Sequence, residues 1–285
     1  MNLSSSVKVC TFILTVSVFF LLLSTSCTKK TKSSNNEVVF DTIRINKTQS
    51  VDYKKSMLNC NLHIAFIYPV TCKKTTSLQD LQKIFIEKFF PPKYANFLPQ
   101  EAVDSFSTQY IRDFQSIKFS NFFDEDYMLE DENNFMYELN LENEVLYNKN
   151  EFISFVVRNV NYEGGAHGSN GIYGYVVNLN TGKFLTEDDF AGNNFKKNLS
   201  PIIIQKIAAA KGLSNASQLE SIGYNAIEDI APNGNFTIDD KGITYYFNEY
   251  EIAAYFVGTT EVFIPYEELK SFITEDSPIS SLAGL

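Results

Sequence analysis

Phe135-Met-Tyr-Glu-Leu-Asn-Leu141 and Phe152-Ile-Ser-Phe-Val-Val-Arg-Asn-Val-Asn-Tyr162 are the two runs that decide the fold. Tyr137, Leu139 and Leu141 alternate with Glu138 and Asn140, the period of a strand with one face on the core. Val145 and Tyr147 prolong the strand, and Asn148-Lys-Asn150 turns the chain. The two runs therefore pair as a hairpin or meander of an antiparallel sheet. The second leads directly into Asn161-Tyr-Glu-Gly-Gly-Ala-His-Gly-Ser-Asn-Gly171, which holds four of the 13 glycines and one of the 2 histidines. Glycine tolerates positive φ and close backbone approach, so the chain builds a shaped loop here.

Downstream, residues 172–179 read as another strand, and Asn180-Thr-Gly182 as a turn. Thr186-Glu-Asp-Asp189 reads as a helix start, with its acids near the positive end of the dipole and capping as their role. Leu199, Ile202, Ile203 and Ile207 place one apolar face on a helix over 195–211, which Gly212 stops. Residues 235–238 and 243–247 form a second hairpin about Asp239-Asp-Lys-Gly242. A strand at 262–265 and a helix at 266–272 close the chain.

Upstream, a β-type run over 51–70 ends at Pro69. Ser77 then caps a helix, with Asp80 three places on and Leu78, Leu81, Ile84, Phe85 and Phe89 on one face before Pro91-Pro92 stops it. A second helix follows Pro99, with Val103, Phe106, Tyr110, Phe114 and Ile117 at helical spacing; both stripes read as core faces. Strands and helices come in blocks, which predicts an α+β fold: two small lobes of antiparallel sheet with packed helices. The seam is expected between 162 and 163, giving domains over 51–162 and 163–274 and a tail over 275–285.

Lys8, an apolar run over 9–23 too short to span a bilayer comfortably, and Leu23-Ser-Thr-Ser-Cys27 form the pattern of a signal peptide over 1–26. The cysteine after the small residues resembles a lipobox, so Cys27 is the expected lipidated residue, and residues 27–50 the expected flexible tether of a periplasm-facing envelope protein. In an oxidising compartment, Cys60 and Cys72 are expected to form a disulfide.

The chain has 24 basic and 34 acidic side chains, net −10; without residues 1–26, which contain only Lys8, the balance is 23 − 34 = −11. That argues against nucleic acid and suits a cationic partner. Twenty-five Phe and 16 Tyr supply a core without any Trp. Two histidines do not make a His-rich metal site, and no nucleophile elbow, phosphate loop or zinc-protease motif is present. No metal, no cofactor and no catalytic residue is expected.

Two signatures together carry a family resemblance. One is Tyr162-Glu-Gly-Gly-Ala-His-Gly168 with Leu179-Asn-Thr-Gly-Lys-Phe-Leu-Thr-Glu-Asp-Asp-Phe190; the other is Gly242-Ile-Thr-Tyr-Tyr-Phe-Asn-Glu-Tyr-Glu-Ile-Ala-Ala-Tyr-Phe-Val-Gly258 followed by Val262-Phe-Ile-Pro-Tyr-Glu-Glu-Leu269. Over residues 51–273 the chain resembles the PdaC/RsiV-type extracytoplasmic pair of peptidoglycan deacetylases, lysozyme-sensing anti-sigma factors and Bacteroidota lipoproteins. The resemblance implies a module that recognises an envelope partner, a lysozyme-like protein or a cell-wall glycan. Deacetylase chemistry in that family belongs to a separate metal-dependent domain, and no His-x-x-x-His pair occurs here.

The candidate ligand-binding residues are Tyr162, Glu163, Gly165 and His167 on the loop, and Asn248, Tyr250, Glu251 and Tyr255 downstream. Tyrosine offers a flat apolar face and a hydroxyl, suited to sugars and to protein anchors. Tyr245, Phe247 and Phe256 read as core. The alternative is a weak cell-wall hydrolase, or deacetylase-associated enzyme, using His167 as a base with a carboxylate such as Glu163 or with Ser169 nearby.

Overall fold

The computed structural model describes residues 38–53, 56–117 and 136–285. The expected signal peptide, Cys27 and the first part of the tether lie outside the described residues. The rest of that tether does not exist as one: Val38–Tyr53 is a 16-residue strand, β1. Its partner is β2 (Ser56–Cys72), paired antiparallel along its whole length. Val38, Phe40, Ile43 and Ile45 turn toward a core. On the polar positions, Thr48 Oγ1 donates to Asn61 Oδ1 at 3.0 Å and Ser50 Oγ to Asn59 Oδ1 at 2.7 Å. Cross-strand hydrogen bonds of this kind stabilise a strand whose composition alone looks like a linker.

Placing Cys60 and Cys72 on one strand overturns the expected disulfide. They are twelve residues apart within β2, so at roughly 3.3 Å per residue they stand about 40 Å apart, against the ~6 Å between Cα atoms that a bridge spans. Both are free thiols, Cys60 buried and Cys72 half-buried.

The two expected helices follow as α1 (Leu78–Phe89) and α2 (Pro99–Gln115). Ser77 caps α1 through its hydroxyl, which accepts from the Asp80 N–H at 3.1 Å. Both helices pack on one face of a six-stranded sheet ordered β1-β2-β3-β4-β5-β6, with β3 (Met136–Lys149), β4 (Phe152–Glu163), β5 (Ser169–Asn178) and β6 (Lys183–Phe184). Every neighbouring pair is antiparallel except β2 and β3, which α1 and α2 separate in sequence. Aromatic rings fill this core in place of tryptophan: Phe85 stacks on Phe155 with centroids 4.3 Å apart, and Phe66 meets Phe89 at 4.6 Å. Truncating such a ring to Ala costs about 3–5 kcal/mol.

The opposite face of the same sheet, at Tyr147, Phe152 and Val176, belongs to a second core. This contains α3 (Phe195–Ala210) and a three-stranded antiparallel sheet of β7 (Phe236–Ile238), β8 (Gly242–Phe247) and β9 (Thr260–Pro265). Phe195, Leu199, Ile203 and Ile207 form the buried face of α3. Gly212 ends it at φ 71, a left-handed conformation that glycine adopts without strain. The helix expected at 266–272 is one α-turn, α4 (Tyr266–Leu269), continued by a 3₁₀ turn, and α5 (Ser280–Ala283) follows. The architecture is α+β, with two sheets and two main cores. The seam expected at 162/163 falls inside the larger sheet, because β4 and β5 pair from Phe152↔Asn178 to Asn161↔Ser169. The change of sheet comes after β6.

Candidate functional site

The glycine loop joins β4 to β5 and rises where the two sheets meet. Gly164 and Gly165 have φ 85 and 95, which an L side chain rarely adopts. At Gly168 a Cβ would stand 2.7 Å from Asn161 O. Tyr162 holds the loop closed by donating its hydroxyl to Gly165 O at 2.9 Å. His167 is exposed at the tip.

The surroundings of His167 define its tautomer. Nδ1 lies 2.9 Å from Gly168 O, an acceptor, so Nδ1 carries the proton. Nε2 is then free to accept from the Tyr250 hydroxyl at 3.2 Å. The Tyr255 ring stacks on the imidazole with centroids 4.0 Å apart and planes at 25°, and Tyr250 stacks on Tyr255 at 5.7 Å. The sequence-expected His167, Tyr250 and Tyr255 thus meet in one three-ring platform built from two loops 83 residues apart. Tyr250 is 64 % exposed. It also has φ 65, a conformation that costs a non-glycine residue about 1–3 kcal/mol and persists only where its surroundings impose it.

Two other residues expected to touch a ligand, Asn248 and Glu251, belong to those surroundings and bond there to backbone and to Asn233. Asn248 Oδ1 accepts from Ile172 N at 2.7 Å, while its Nδ2 donates to Ile172 O at 3.1 Å. Glu251 accepts from Asn248 N at 2.9 Å and from Asn233 Nδ2 at 2.6 Å. Asn248 and Glu251 therefore set the turn that carries Tyr250. Glu163 accepts from Asn161 Nδ2 at 3.2 Å, while the ring nitrogens of His167 meet Gly168 O and the Tyr250 hydroxyl.

Two residues outside that set complete the join. Glu249 takes the Asn170 N–H at 3.0 Å and its amide at 2.7 Å. Asn235 accepts from Gly174 N at 2.7 Å and donates to Ile172 O at 2.8 Å and Tyr246 O at 2.9 Å. The outward N–H groups of 170, 172 and 174 on β5 therefore end on Glu249, Asn248 and Asn235 in turn. An edge that would otherwise offer itself to another strand is closed by side chains of the second lobe. Gly174 is required at this join, since a Cβ there would lie 2.6 Å from Phe236 O.

Tyr245 and Phe247 are core, as their strand pattern predicts, but Phe256 is not: it is 76 % exposed, in the 3₁₀ turn Tyr255–Val257. The alternation that buries Tyr245 and Phe247 stops with β8, so strand logic does not extend to it. Within Thr186-Glu-Asp-Asp189, capping explains Asp189, whose Oδ2 accepts from Thr186 N at 2.7 Å. It does not explain Glu187. That carboxylate is buried, accepting from Gly234 N at 2.9 Å and facing Lys196 Nζ at 3.2 Å. Tyr245 has a buried hydroxyl with no hydrogen bond of acceptable geometry; burial, and then the neighbouring Glu187 charge, push it well above its ordinary pKa. Nothing periodic in the sequence marks Glu187, because its partners, Lys196 and Gly234, come from two separate segments. Among the described residues no cluster of His, Cys, Asp and Glu fits a metal ion.

Residues 55–170 match the family model described as Deacetylase PdaC, and residues 185–267 match the one described as Protein of unknown function (DUF3298). A crystal structure of a DUF3298 family member from Bacteroides fragilis is similar over 88 % of this chain and 99 % of its own, with 26 % identity and a TM-score of 0.76. A DUF3298 family protein from Pseudomonas aeruginosa PAO1 shares the fold at 14 % identity and a TM-score of 0.57, over 84 % of this chain and 96 % of its own. No curated protein matches the sequence.

Proposed function

We propose that this chain, a PdaC/DUF3298-like domain pair, is a recognition module of the cell envelope, anchored by lipid at Cys27 and facing the periplasm. Its His167–Tyr250–Tyr255 platform binds a cationic, lysozyme-like protein or a cell-wall glycan and carries out no chemistry of its own. The observation that carries this reading is the platform itself. Two loops converge to hold three rings together at the surface, and the backbone of Tyr250 is kept in a costly conformation to do so. Exposed, rigidly held tyrosines are the usual anchors of protein interfaces and the usual stacking surface for sugars. Tyr250 stands between Glu249 and Glu251 on a chain of net charge −10, which favours a cationic partner. Both ring nitrogens of His167 are engaged, by Gly168 O and the Tyr250 hydroxyl, which suits a bracing and presenting role better than that of a base.

Calorimetry with a lysozyme and with peptidoglycan fragments, at low salt, tests the proposal. Binding of one of them should weaken at least about tenfold in Tyr250→Ala and in Tyr255→Ala. Absence of heat from both ligands, or binding that both variants retain in full, would remove it.

A further inference from the structure

On another part of the surface, a cleft of about 350 Å³ opens between the C-terminal end of α1, strands β5 and β6, and the first turn of α3. Its position at the boundary of the two matched modules, and its volume, are those of small-ligand sites. The floor is the buried Glu187 carboxylate, fixed on one oxygen by the Gly234 N–H and on the other by Lys196 Nζ. The wall is the ring pair Tyr175 and Phe184, with centroids 5.8 Å apart. Lys88 Nζ stands 4.6 Å from the Phe184 centroid and 5.2 Å from that of Tyr175, and has no carboxylate partner among the described residues.

Two different ammonium-binding devices therefore share one cleft, a desolvated carboxylate and an aromatic pair, and each is occupied by a lysine of the chain itself. Both lysines are replaceable. The Lys196 side chain is 61 % exposed, so its ammonium returns to water readily, while the carboxylate it faces is only 7 % exposed. This asymmetry decides the sign of the ligand. An anion drawing Lys196 to itself would leave a buried carboxylate with the Gly234 N–H but no counter-charge, the costliest outcome for such a pair. A cation entering in place of Lys196 keeps Glu187 compensated and releases the lysine to solvent.

We infer that the Glu187 cleft is a binding site for a small organic cation, a primary ammonium or guanidinium carried on a short apolar body. The cationic head replaces Lys196 on Glu187, and the body lies along Tyr175 and Phe184. The site uses none of the residues of the glycine-loop platform, so it stands or falls separately from the proposed function.

Benzylamine and benzylguanidine serve as ammonium and guanidinium probes, with benzyl alcohol and acetate as neutral and anionic controls. Each is titrated into the ¹⁵N-labelled chain while the Gly234 amide resonance is followed, because that N–H sits on Glu187. The expected result is a saturable shift with an amine and none with the controls. Lys196→Ala removes the internal competitor and should tighten amine binding by up to about fivefold. Lys88→Ala should tighten it in the same direction by uncovering the rings. Glu187→Gln should weaken it about thirtyfold or more; if it or Lys196→Ala, which leaves the buried carboxylate without a counter-charge, does not fold, Lys88→Ala carries the test. No saturable shift with either cation, saturation by acetate instead, or weaker amine binding in both lysine variants would overturn the inference.

Discussion

Asparagine 235 is the most exacting place to perturb this molecule. Its amide meets three backbone groups at 2.7–2.9 Å, but their dependence on it differs. Ile172 O keeps a second donor in Asn248 Nδ2, and Tyr246 O keeps Asn233 Nδ2. Gly174 N–H has no such reserve. Asn235→Ala therefore strands one buried donor, at about 1–3 kcal/mol, and loses two bonds whose acceptors stay satisfied, for a total of about 2–3 kcal/mol. Asn248→Ala strands Ile172 N–H in the same way, at about 1–3 kcal/mol. In the double variant Ile172 O loses both donors at once, a loss that neither single variant shows. The double variant should therefore exceed the sum of the singles by about 1 kcal/mol. Urea denaturation of the four proteins, with m held constant across the cycle, measures this coupling. A loss below about 0.5 kcal/mol in Asn235→Ala, or a double variant no worse than additive, would refute the view that these amides join the lobes through shared backbone groups.

Three further outcomes follow from described contacts. Gly174→Ala drives a Cβ to within 2.6 Å of the backbone carbonyl oxygen of Phe236, and should cost at least about 1–3 kcal/mol in thermal or urea unfolding. Tyr245→Phe removes a buried hydroxyl that lacks a good partner, and should leave the urea midpoint unchanged or raised. Burial pushes the Cys60 thiol up from 9.0 to about 11, so its neutral form is favoured in the folded state. That contribution is complete below pH 9 and disappears as pH rises through 11. At pH 8, the buried Cys60 should alkylate far more slowly in the folded chain than in urea, and both Cys60 and Cys72 should alkylate in urea without reductant, as mass spectrometry would show.

Much of the fold is legible in the sequence where one period runs uninterrupted. The stripes of α1, α2 and α3, the Ser77 cap, the β3–β4 hairpin and the Asp239-Asp-Lys-Gly242 turn are local, and the structure has them where the pattern puts them. Strand β1 is not legible as an element, because Thr48 and Ser50 are satisfied by asparagines on β2 and not by burial. The disulfide fails for a related reason: cysteine counting says nothing about whether two residues share a strand. At the candidate site, residue type points to His167, Tyr250 and Tyr255, which do meet, but gives Asn248 and Glu251 the same standing. Only geometry shows that these two also bond to the backbone groups that shape the Tyr250 turn. Glu187 and Asn235 act through partners from distant segments, and no spacing encodes that.

The parallel seam between β2 and β3 governs how the large sheet assembles. Hairpin β1–β2 and the meander β3–β4–β5 are each closed by short connections, so each zips up from its own turn. The seam joins Asn59 to Met136 and Ala65 to Glu142 across a crossover that contains α1 and α2, a far longer loop than any hairpin of the sheet closes. Its loop-closure entropy is the largest of any neighbouring pair in that sheet, so this pairing is expected to form last. Until then each half keeps an unpaired inner edge, so the interval before the crossover settles is when the chain is most open to pairing with a second copy of itself.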